Sequence, residues 1–165
     1  MLLLVHVECL NMIIKRTVID EGAAASVMSL SCWKGLGSCE LSKSTTMLTA
    51  FDGRSFRLHD ILPSLKVRLG GKTVAIEVEL VDAPLDYNLL LGQNWMYSMQ
   101  AVASSVFCIV CFPHNKKIVT IDQMTFKNSP VTASLGACCN LTDHIRLPII
   151  HTKIYRIYTE SRDNN

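Results

Sequence analysis

Thiols, imidazoles and carboxylates are the side chains in this sequence best suited to catalysis or metal binding, and their spacing tells them apart. Cys108-Ile109-Val110-Cys111 has the spacing of half a zinc site, and Cys138-Cys139 adds two more sulfurs. In a strand, however, residues three apart point to opposite faces, the second pair has no spacer, and no histidine stands where it would complete a knuckle. No metal is expected. The histidines, at 6, 59, 114, 144 and 151, have no ligand spacing. A glycine-rich phosphate loop and a Gly-x-Ser-x-Gly elbow are both missing, since Gly35-Leu36-Gly37 ends a helical pattern and does not open one. What remains is Asp20-Glu21-Gly22-Ala23 at the end of an apolar run. An isolated Asp-x-Gly is most often a turn acid, so its chemical content depends on the elements that hold it.

Those elements read as β-structure. Leu2 to Cys9 and Ile13 to Ile19 form an apolar hairpin turning near Asn11 and ending on Asp20. Small residues follow, and Ser29 is placed to cap a short helix bearing Leu30, Trp33 and Leu36, with Gly37 as its stop. Thr46 to Phe51 and Ser55 to Leu62 flank Asp52-Gly53, a strong hairpin signal, and Pro63 is expected to end that ribbon. Leu65, Val67 and Leu69, then Val74, Ile76, Val78 and Leu80, alternate with polar residues around Gly70-Gly71. Leu69 should therefore face Lys72 and Val67 face Val74, with the apolar residues on one face and Lys66, Arg68, Glu77 and Glu79 on the other. Leu89-Leu90-Leu91 reads as a short core strand, and Asn94 as the cap of a second helix carrying Trp95, Met96 and Met99. Val106 to Phe112 and Ile118 to Ile121 form a last strand pair, and core organisation ends near Phe126.

Composition bounds the answer. The 165 residues are 49% hydrophobic and 18% charged, which suits one folded domain. Sixteen basic against 14 acidic side chains leave a formal charge of +2, without the basic stripe of a nucleic-acid binder. The apolar opening from Met1 to Val7 is broken by His6 and Glu8 and is too short for a signal core or a membrane span. The expectation is an intracellular, cytoplasmic protein with seven reduced cysteines and no membrane partner.

Three segments carry a resemblance: Val18-Ile19-Asp20-Glu21-Gly22-Ala23, Leu48-Thr49-Ala50-Phe51-Asp52-Gly53, and Tyr87-Asn88-Leu89-Leu90-Leu91-Gly92-Gln93-Asn94-Trp95. In that order they resemble the retropepsin-like aspartic proteases of gypsy-type long-terminal-repeat retrotransposons, over about residues 2–126; the run from Phe112-Pro113-His114 to Asp122-Gln123 is similar to the segment that follows the protease core. The resemblance implies an all-β, retropepsin-like acid-protease fold over residues 1–126, followed by a C-terminal tail, 127–165, to which it assigns no role. It also implies that Asp20 is catalytic within a loop containing Glu21, Gly22 and Ala23. Phe51, Asp52 and Gly53 would form the flap, and Leu90, Leu91 and Gly92 the loop beneath the site.

One chain supplies one such aspartate, so the resemblance implies a homodimer that places two Asp20 carboxylates side by side over an extended polypeptide substrate. Such a pair shares a proton, activates water and needs no cofactor. Three positions depart from the family pattern. Glu21 replaces the usual Ser or Thr, Gln93 replaces a frequent Arg, and Arg57-Leu58-His59-Asp60 lacks a flap glycine. The alternative to an endopeptidase is a catalytically inactive domain used for dimerisation or peptide binding.

Overall fold

The structure is a computed structural model that describes residues 3–43, 47–49, 55–83, 85–122 and 158–159. Strands β1 (Leu3–Cys9) and β2 (Met12–Ile19) form the expected hairpin. Leu3, Val5, Val7 and Cys9 are buried while the residues between them are partly exposed, which is the period-two pattern of a strand with one face on a core. Strand β3 (Ser26–Ser29) leads straight into α1 (Leu30–Gly35), whose Ser29 cap accepts a hydrogen bond from the Cys32 amide. Strands β4 (Met47–Thr49), β5 (Ser55–Leu69) and β6 (Lys72–Val81) follow, then β7 (Leu89–Leu91) and α2 (Gln93–Met99). The last elements are β8 (Val102–Ser104), β9 (Ile109–His114), β10 (Lys117–Asp122) and the two-residue β11 (Tyr158–Thr159), which pairs with β4.

The sheet order β1-β2-β7-β3-β6-β5 closes on itself because β5 also pairs with β1, at Glu8 opposite Arg68. Six strands thus make a closed barrel with few free edges. Its filling is a single cluster that includes Ile14, Met28, Val67, Val78, Leu89, Leu91 and Trp95. The β5–β6 hairpin has the expected register, Leu69 opposite Lys72 and Val67 opposite Val74, and its turn glycines sit at φ +55° and +86°, where side chains are strained. Strands β8, β9 and β10 form a separate three-stranded sheet, and its Val110 and Phe112 close one end of the core.

Several local expectations are corrected. Pro63 does not end a ribbon, because β5 runs through it to Leu69 with the register slipping between Leu58 and Ile61 and again between Leu62 and Leu65. A proline has no amide hydrogen to donate, and a register slip is where a ladder can spare one. Asn94 lies inside the first turn of α2, and the cap is Gly92, which has no side chain to offer. Residues 105–108 form a turn before β9, with Val106 and Phe107 exposed and Cys108 partly buried at φ +55°, so Cys108 and Cys111 are not partners along one strand. The short strands β3 and β8 were not expected, since neither Ser26–Ser29 nor Val102–Ser104 is long enough to show a period. No disulfide joins the described cysteines Cys9, Cys32, Cys39, Cys108 and Cys111. Burial above all, then Cys32 and Glu8, pushes the Cys9 thiol up to about 12.

Candidate active site

A bulge in β2 aims the chain at the site. Between the pairs Val5–Thr17 and Val7–Ile14, one residue of β1 faces two of β2, and Arg16 takes up the extra length at φ +56°. The carbonyls turned out by the bulge are used at once. The Arg16 carbonyl accepts from the Asn88 amide at 3.1 Å, and the Lys15 carbonyl accepts from Asn88 Nδ2 at 2.8 Å. Arg16 Nη2 also donates to the Asp86 carbonyl. Asn88 thereby starts β7 in parallel register with β2, Thr17 beside Leu89 and Ile19 beside Leu91.

Asp20 emerges where β2 ends. Its amide donates to the Leu91 carbonyl at 3.0 Å, the Gly22 amide donates to Asp20 Oδ1 at 2.9 Å, and the Ala23 amide donates to the Asp20 carbonyl at 3.2 Å. Together these form a tight acidic turn whose carboxyl is half-buried and oriented by one backbone donor. A Cβ on Gly22 would lie 3.2 Å from Asp20 Oδ1, so a side chain there would crowd the carboxyl.

The rest of the loop is fastened to the junction between β7 and α2. The Gln93 amide donates to the Ala23 carbonyl at 2.8 Å, and Gln93 Nε2 donates to the Glu21 carbonyl at 3.1 Å. A Cβ on Gly92 would sit 2.4 Å from the Ala25 carbonyl oxygen and 2.6 Å from that of Ala23, so only glycine permits this approach. The Gly92 amide donates to Ser26 Oγ at 3.1 Å, and that hydroxyl donates to Asn94 Oδ1 at 2.6 Å. Asn94 Nδ2 in turn donates to the Glu77 carbonyl at 2.8 Å, extending the network to β6.

The structure therefore brings together Asp20, Glu21, Gly22 and Ala23 with Leu91 and Gly92. Leu90 packs against Ala23, Val27 and Val81 in a second apolar cluster on the outside of the barrel. Glu21 is exposed, with its backbone carbonyl and not its side chain tied to Gln93. Phe51, Asp52 and Gly53 lie outside the described residues; the strands flanking them pair antiparallel, Thr49 opposite Ser55. Sequence reading missed the roles of Ser26, Asn88 and Asn94. The available signal was that each is a small polar residue at an otherwise apolar junction, and such a residue has to find partners. Sequence reading set Glu79 on the face opposite the apolar residues, which leaves open whether another part of the chain covers it. The structure buries it to 7% exposure and leaves Oε2 without a hydrogen-bond partner among the described residues, and burial followed by the Glu77 charge pushes its carboxyl up to about 7.

No family model matches the sequence, and no curated protein matches it. Among solved structures it is similar to the crystal structure of the retroviral protease-like domain of Ddi1 from Leishmania major, with a TM-score of 0.55. The identity is 14%, over 79% of this chain and 99% of that one. A likeness at that identity is a likeness of fold, and it agrees with the closed six-strand barrel: the chain has an all-β, retropepsin-like acid-protease fold. No described helix is long and apolar enough to cross a membrane.

Proposed function

We propose that this chain is an aspartic endopeptidase acting as a homodimer, with Asp20 of each protomer contributing one carboxylate to a shared pair. The observation that carries the reading is the Asp20 turn, held to Leu91 by the Asp20 amide and braced by Gly92 and Gln93 within a retropepsin-like barrel. A single barrel provides a single such turn, so the pair needs two chains about a two-fold axis. Two adjacent carboxylates share a proton and titrate as a unit. The ionised member takes a proton from a water attacking the peptide carbonyl, and the protonated member stabilises the developing oxyanion. The segment between β4 and β5, which contains Asp52-Gly53 in the sequence, acts as the flap over an extended polypeptide. The setting we propose, an element-encoded polyprotein, is supported by the sequence resemblance over residues 2–126.

A second reading, an inactive peptide-binding or dimerisation module, is favoured by one observation. Position 21 carries a glutamate exposed to solvent, and a carboxylate has no hydroxyl to donate across a pair of active-site loops. Cleavage of an unstructured protein near pH 5, with and without a transition-state-mimicking inhibitor, separates the two. The endopeptidase reading expects inhibitor-sensitive cleavage that Asp20→Asn reduces by at least about a hundredfold with the fold retained. An unimpaired Asp20→Asn protein would move the role to another acid, with Asp86 the next to test. A wild-type dimer that binds peptide and never cuts it supports the module.

A further inference from the structure

Beside the Asp20 loop lies an open cleft of about 440 Å³, within the range of small-ligand pockets. Its walls come from three elements: Ala24 and Ala25 of the loop, Glu77 and Glu79 of β6, and Asn94 and Ser98 of α2. The two alanines leave room where longer side chains would fill it. Of the polar groups, Asn94 is already committed, its Oδ1 accepting from Ser26 and from the Trp95 amide and its Nδ2 donating to the Glu77 carbonyl. Ser98 Oγ donates to the Asn94 carbonyl and keeps its lone pairs. What the cleft has left to offer is acceptors, two carboxylates and a hydroxyl oxygen, and among the described residues no lysine, arginine or histidine lines it.

Glu79 is the independent sign of a ligand. It is more than nine-tenths buried in the cleft wall, and its Oε2 has no hydrogen-bond partner among the described residues. A buried carboxylate oxygen without a donor is costly, and donors reaching into the cleft from a bound group would offset that cost. Among the described residues no cluster of three His, Cys, Asp or Glu side chains is arranged to hold a metal ion, so the chemistry favours an organic cation.

We propose that this cleft receives the basic side chain, the ammonium of a lysine or the guanidinium of an arginine, of an extended polypeptide passing along the Asp20 loop, with Glu79 as its buried partner and Glu77 as the outer one. That the cation belongs to a polypeptide rests on the proposed function; the cation site itself does not. An ammonium or guanidinium supplies several donors, and a charge-assisted bond to a partly buried carboxylate is stronger than a neutral one. The bound cation also opposes the repulsion between Glu77 and Glu79.

The test uses the full chain carrying Asp20→Asn, so that binding is read without cleavage, and is run at pH 8, where Glu79 is ionised. The probes are blocked decapeptides of an alanine- and leucine-rich host, each with one lysine at a different position, set against the norleucine equivalents. One position should favour lysine by about tenfold in affinity, as one charge-assisted bond supplies. That peptide should shift the amide resonances of Ala24, Ala25 and Ser98, and Glu79→Gln should erase its preference. Butylammonium at equal concentration should fail to compete; equal competition would overturn the polypeptide source. The site itself is overturned if no position prefers lysine, or if the preference survives in both Glu79→Gln and Glu77→Gln. Failure of the endopeptidase reading looks different, because the protein with Asp20 intact would then cut nothing while the lysine preference persisted.

Discussion

Glu79 carries a carboxyl whose burial makes the chain's stability depend on pH. Its carboxyl is pushed from 4.5 to about 7, first by burial and then by Glu77. Below pH 4.5 it is protonated in both folded and unfolded chains and makes no difference to stability. Between 4.5 and about 7 the unfolded chain loses the proton while the folded one keeps it, so stability falls as pH rises, and above about 7 the loss is complete. Screening by the open cleft holds the effect to on the order of 1–2 kcal/mol. Glu79→Gln should therefore raise the thermal midpoint at pH 8 and leave it unchanged at pH 4. An equal rise at both would show that the gain comes from packing and not from charge.

At the scale of elements, two junctions hold the barrel to the site. Gly92 lets the start of α2 lie against the carbonyls of Ala23 and Ala25, and a methyl group there has nowhere to go. Gly92→Ala should displace the Asp20 loop, costing about 1–3 kcal/mol by overpacking. Denaturant unfolding measures that cost, and peptide binding should weaken with it. At the other end of α2, Lys72 at the start of β6 donates its Nζ to the Met99 carbonyl and, at 3.1 Å, to the Pro113 carbonyl. One ammonium thus caps the helix and pins the β9 sheet to the barrel. Lys72→Met keeps most of the aliphatic stem and removes both bonds, so it should cost about 1.5–3 kcal/mol, with the amides of β8 and β9 exchanging faster than those of β1. A uniform change in exchange would mean that the two sheets do not separate.

For the whole molecule, closure of the barrel is more informative than any one contact. The ion pair at the closing seam, Arg68 to Glu8 at 3.6 Å, is half-exposed and contributes at most about 1 kcal/mol. Closure comes from the strands and the core they share, not from that pair. The described barrel carries one Asp20 turn, so under the proposed function catalysis is a property of two molecules. Specific activity should accordingly fall on dilution, in step with the dimer fraction measured by sedimentation. Full specific activity in a sedimenting monomer would sink the shared-carboxylate mechanism.

The local chemistry of the chain determines the β1–β2 hairpin, the glycine turn between β5 and β6, the Ser29 cap and the apolar β7 strand. Each follows from period-two alternation, a turn residue or a capping hydroxyl within a few positions. The Asp20 turn was legible for the same reason, since Gly22 and the carboxyl that it hydrogen-bonds are two residues apart. Three features were decided only when distant segments met. One is the path of β5 through Pro63, which depends on a register shared with β6. Another is the fastening of the loop by Asn88, Gly92 and Asn94, whose partners lie some seventy residues earlier or on another strand. The third is the burial of Glu79, which alternation alone puts on the face opposite the apolar residues. That face is exposed only where nothing covers it, and at Glu79 the fold packs the Asp20 loop and α2 over the sheet. Side-chain alternation fixes which way a residue points, whereas what it meets there depends on which other parts of the chain the fold brings alongside.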